Sequence, residues 1–141
     1  MSEPRELAAA RKHLSEAERG FRSADGLRHL EEGIALLDRI TMGTDLEHRA
    51  LAANLLSTYS KRICEAVKRV VESDAQLPEP ELEHLFKVML SFDSAEIELP
   101  FYVRSIKLRV VKRLIDLYYE GHPAEQKQKA LEQLANLERE P

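Results

Sequence analysis

Residues 44–73 read TDLEHRALAANLLSTYSKRICEAVKRVVES, thirty positions without a glycine or a proline. Within them Ala52, Leu56, Tyr59, Ile63, Ala66 and Val70 recur at alternating steps of four and three. That spacing lays one apolar seam along a helix for about three heptads. At 1.5 Å per residue such a helix runs roughly 45 Å. It is too long for an ordinary peripheral element and predicts the spine of an all-helical domain. Thr44, followed by Asp45 and Glu47, is the start signal.

Working outward, the punctuation divides the chain into six helical segments. Ser2 can cap the first, with Pro4 and acids in the opening turn, and Leu7, Ala10, Leu14, Ala17 and Phe21 mark its inner face. The second opens at Ser23 to Gly26 and carries Leu27, Leu30, Ile34 and Leu37 as far as Ile40. Thr41-Met42-Gly43-Thr44 separates it from the spine. Pro78 and Pro80 close the connection after Ser73. A fourth helix over roughly Glu79 to Phe92 turns Leu82, Leu85, Phe86, Met89 and Leu90 inward. After Asp93 to Pro100 comes a fifth, Phe101 to about Glu120, apolar over more than half its circumference and therefore expected at the centre. Gly121 ends it, and Pro123 starts a sixth with Ala130, Leu131, Leu134 and Leu137. No useful strand-like alternation occurs. Short breaks imply antiparallel hairpins.

A chain of 141 residues fits one domain, residues 1–141, with disorder expected only at its ends. Its net charge of −4 argues against a dedicated nucleic-acid binder. Cys64 is the single cysteine, so no intramolecular disulfide can form; beside the seam it is expected to be a buried structural thiol. No apolar run approaches the ~20 residues of a membrane span, and the N-terminus lacks the features of a secretion signal. The cytoplasm is the expected compartment.

Charge is segregated along the fourth and fifth segments. Six acids lie between Glu79 and Glu98 against Lys87, and five bases lie between Phe101 and Ile115 with no acid. Matching across a hairpin explains this economically. The sharper reading is a basic surface for an acidic partner. Arg104 and Lys107 fall within the apolar arc, so they must snorkel, pair internally or line a groove. With the adjacent Tyr102 they are the candidate partner-binding residues.

Specific chemistry finds little support. Asp45-x-x-His48 and Glu81-x-x-His84 have the spacing of helical metal-ligand pairs, but acids are expected in opening turns for capping alone. His84-Leu85-Phe86-Lys87-Val88 resembles the His-x-x-Lys-Gly pattern of histidine phosphotransfer domains, with valine in place of the glycine that makes room for the partner. His29-Leu30-Glu31-Glu32-Gly33 keeps the glycine but has glutamate for lysine. No nucleophile motif, phosphate-cradling loop or zinc pattern occurs. The expectation is a non-enzyme without metal or cofactor.

Leu30-Glu31-Glu32-Gly33-Ile34-Ala35-Leu36-Leu37-Asp38-Arg39-Ile40 resembles the second helix of a tetratricopeptide repeat, with Gly33 at its small position and Leu37 at its large one. Ile40 departs from that pattern, Thr41-Met42-Gly43 lacks the closing proline, and no period near 34 residues recurs. The resemblance implies a stack of helical hairpins with a concave peptide-binding face. The function expected is therefore protein–protein interaction, an adaptor or regulatory domain holding a peptide or partner helix. A self-associating homodimer is the first alternative, and nucleic-acid or phosphate binding through the 101–115 helix the second.

Overall fold

The computed structural model describes residues 4–93 and 97–139, which form six α-helices and, among the described residues, no strand. They are α1 (Arg5–Arg19), α2 (Ala24–Thr41), α3 (Leu46–Ser73), α4 (Glu79–Leu90), α5 (Val103–Tyr118) and α6 (Ala124–Arg139). The chain is an all-α helical bundle, as the periodicities predict. No helix among the described residues is long and apolar enough to cross a membrane.

Local chemistry sets the helix ends. The Ser23 hydroxyl accepts the Gly26 backbone N–H at 3.0 Å and opens α2. At α3 the cap is Asp45 rather than Thr44, its carboxylate accepting the His48 N–H at 3.0 Å. A carboxylate there also meets the positive end of the helix dipole, an advantage threonine lacks. The expected cap Ser2 lies outside the described residues; the Pro4 carbonyl accepts the N–H groups of Leu7 and Ala8. Gly121, at φ +81°, turns the chain from α5 into α6.

α1 and α2 approach each other closely. A Cβ on Gly26 would lie 1.8 Å from the Gly20 carbonyl oxygen, and one on Gly33 would lie 3.1 Å from Leu14 Cδ2. Contacts run in opposite order along the two helices, Gly20 meeting Gly26 and Leu14 meeting Gly33. Leu7, Leu14, Leu30 and Leu37 are fully buried and share one core with Ile63, Leu82, Leu85, Met89 and Phe92.

On α3 the inner row is Ala52, Leu56, Ser60, Ile63, Cys64, Val67 and Val71. The expected seam holds at Ala52, Leu56 and Ile63, but Tyr59, Ala66 and Val70 are only partly buried. Steps of four dominate the observed row, the ridge of a helix that crosses its neighbours at an angle. α3 meets α1, α2 and α5 along its length, so no single straight seam serves all three. Ser60 is tolerated inside because its hydroxyl donates to the Ser57 carbonyl at 2.9 Å. In α4, Val88 is buried where Leu90 was expected; Leu90 lies on the opposite side and is 42% exposed.

α5 touches α3, α4 and α6 but is not the buried centre its apolar arc predicts. Only Val103, Ile106 and Val110 are buried, while Leu117 is 37% and Tyr118 64% exposed. The core lies among α1, α2, α3, α4 and the first half of α5. Further along α5, Leu114 still packs on the edge of the core, while Leu117 and Tyr118 lie exposed.

Candidate partner-binding site

The five bases of residues 101–115 go to different places. Lys107 Nζ sits 2.6 Å from Asp93 Oδ1, the one ion pair among the described residues that joins the acids of 79–98 to these bases. Glu81 reaches instead to Arg22, at 2.9 Å. Arg113 donates to the Val71 and Asp74 carbonyls at 2.8 and 3.0 Å. It thereby satisfies the end of α3, whose last turn carries no base of its own. Arg104 donates to the Leu137 carbonyl of α6 at 3.2 Å.

Tyr102 is partly buried, with the Lys68 ammonium 5.1 Å from its ring centre. Burial pushes its hydroxyl above the ordinary tyrosine range, and Cys64 and Glu65 add to the effect. Lys107 also acts electrostatically on Cys64. Tyr102 and Lys107 therefore look inward, toward α3 and the end of α4, whereas Arg104 is exposed. The three do not form one patch.

A different set does. Phe101, Arg104, Ser105, Leu108, Arg109 and Lys112 follow steps of three and one along the outer side of α5 and line a groove of about 440 Å³. Phe101 heads it, 95% exposed, and Arg109 and Lys112 are exposed further along. An apolar ring and Leu108 set among cationic donors suit a segment that is both apolar and acidic. Sequence reasoning found Arg104 but passed over Phe101, because an aromatic at a helix start looks like core until the neighbouring elements are placed. A second groove, about 470 Å³, lies between α2 and α4; Ile34, Ala35 and Leu90 form its apolar part and Glu31, Asp38 and Lys87 carry mixed charge.

Neither acid-x-x-His pair assembles a ligand set among the described residues. Asp45 is the α3 cap, and His84 Nε2 donates to the Phe21 carbonyl at 2.7 Å, tying α4 to the turn before α2. Instead the fold brings His13 of α1 to His29 and Glu32 of α2. Sixteen residues separate the two histidines, so no local motif announces the meeting. Cys64 is buried, and burial pushes its thiol up to about 11. Comparison with known protein families, curated proteins and solved structures finds no match.

Proposed function

We propose that the chain is a non-enzymatic interaction domain that holds an acidic, amphipathic segment of a partner protein along the outer side of α5. The observation that carries this reading is Phe101, 95% exposed at the head of a groove with Arg104, Arg109 and Lys112. A large apolar ring left in water beside a row of cations costs solvation that a partner can recover. The partner's apolar side chain packs on Phe101 and Leu108, and its carboxylates pair with the cations. Arg104, bonded to the end of α6, fixes the groove's edge. The cations set orientation and encounter rate more than affinity.

A peptide-display selection against the purified chain tests this. Selected peptides should combine acidic residues with one or two large apolar anchors. Phe101→Ala and the pair Arg109→Glu, Lys112→Glu should each weaken the best peptide at least about tenfold, which is ~1.4 kcal/mol, with melting temperature unchanged. Selection of neutral or basic peptides, or binding indifferent to these substitutions, counts against the reading.

A second reading, a homodimer, draws on the partly covered flank of α5. Val111, Leu114, Ile115 and Tyr118 line a shallow groove with Glu79 and Glu83 of α4. A second copy could cover it, and the acids would then have to meet bases of the partner.

A further inference from the structure

His13 and His29 face each other Nδ1 to Nδ1 at 2.9 Å, with ring centres 5.2 Å apart. Each ring's other nitrogen faces a carboxylate of α2. His13 Nε2 lies 3.4 Å from Glu32, and His29 Nε2 lies 3.6 Å from Asp25. The imidazoles are 27% and 24% exposed, so water reaches them.

Counting protons exposes a conflict. A neutral imidazole carries one N–H. Two neutral rings thus bring two protons to three contacts, so one lone pair must face another lone pair or a carboxylate. A third proton removes the conflict. So does a cation between the two Nδ1 atoms, which takes both lone pairs and leaves both Nε2–H groups to the carboxylates. A carboxylate behind each imidazole is also how metal-bound histidines are held in the correct tautomer and orientation.

The distances agree. Imidazole nitrogen binds zinc at about 2.0–2.1 Å, so two such bonds at a right angle place the nitrogens ~2.9 Å apart, and a tetrahedral angle places them ~3.3 Å apart. The observed 2.9 Å needs a few tenths of an ångström at most. Glu32 offers an oxygen within 4.8 Å of both imidazoles, close enough to turn from His13 to the ion, and Arg28 pairs with Asp25 from the solvent side.

We propose that His13 and His29 form a binding site for a divalent transition ion of the imidazole-preferring class, zinc, copper or nickel. Glu32 serves as a third ligand or as the carboxylate behind His13, Asp25 stands behind His29, and water completes the coordination. The bound ion fastens α1 to α2. The site is independent of the α5 groove.

The test is titration of the untagged chain with zinc chloride near neutral pH, read by histidine NMR and by competition with a chromophoric chelator. One equivalent should bind. The His13 and His29 resonances should move together, while those of His48, His84 and His122 stay. His13→Asn and His29→Asn should each abolish tight binding, and Glu32→Gln should weaken it about tenfold or more. Zinc should also raise the melting temperature of the parent chain by several degrees and leave that of His29→Asn unchanged. No binding at about 100 µM zinc overturns the site, as does a response at the other three histidines or binding that survives both histidine substitutions. The resonances of the unaltered chain decide the matter even where a variant fails to fold.

Discussion

Cys64 shows what one buried group does to the whole. It is 2% exposed, and burial raises its thiol from 9.0 to about 11, against a smaller lowering by the Lys107 ammonium. Between those two values the unfolded chain has lost this proton and the folded chain retains it. The unfolded state binds fewer protons there, so stability is complete below 9.0 and falls as pH rises toward about 11. At ~1.36 kcal/mol per pH unit the loss amounts to about 3 kcal/mol. Urea unfolding should show a midpoint that is flat near neutral pH and declines through this window, with a shallower decline in Cys64→Ala. Tyr102, raised by the same cause, contributes in the same direction at higher pH. The burial of Cys64 was legible from its place beside the α3 seam. The approach of Lys107 and Asp93 was not, because it joins parts of the chain some forty and thirty residues away.

At the scale of helices, Arg113 links α5 to α3 through two carbonyls at the α3 C-terminus. Arg113→Ala should cost about 1.5–3 kcal/mol in denaturant unfolding, as expected for hydrogen bonds from a charged donor. Arg113→Lys should recover less than half, since an ammonium cannot span both oxygens as the planar guanidinium does. Helix number and approximate bounds were readable because Ser23, Gly43, Pro78 and Gly121 interrupt otherwise continuous patterns. Capping from another element was not readable, since it depends on which helices become neighbours. For the same reason the α3 seam drifted from its expected course, and the second half of α5 came out only partly covered. An apolar arc states what a helix can bury, and its neighbours decide what it does bury.

For the whole molecule, the exposed flank of α5 sets the two readings of function against each other. The heterologous reading expects light scattering to give the monomer mass of 16.2 kDa at micromolar concentration, without change on dilution. A dimer that Tyr118→Glu dissociates would favour self-association instead. The candidate site was half legible at this scale. The concentration of bases in residues 101–115 was visible in the sequence, and Arg104 does lie on the groove. Tyr102 and Lys107 turned inward because Lys68 and Asp93, contributed by other segments, lie within reach.

α6 rests on α5, with Leu134 as its buried side chain and with Lys127–Asp116 and Arg104–Leu137 as polar ties. None of the described residues of α6 belongs to the core shared by α1, α2, α3 and α4. A terminal helix held in this way is expected to open at a lower free energy than the inner bundle. Each departure of α6 also releases the Leu137 carbonyl held by Arg104, a residue that lines the groove of Phe101 and Leu108. The stay of that last helix, rather than global unfolding, then sets how long Arg104 is held at that carbonyl.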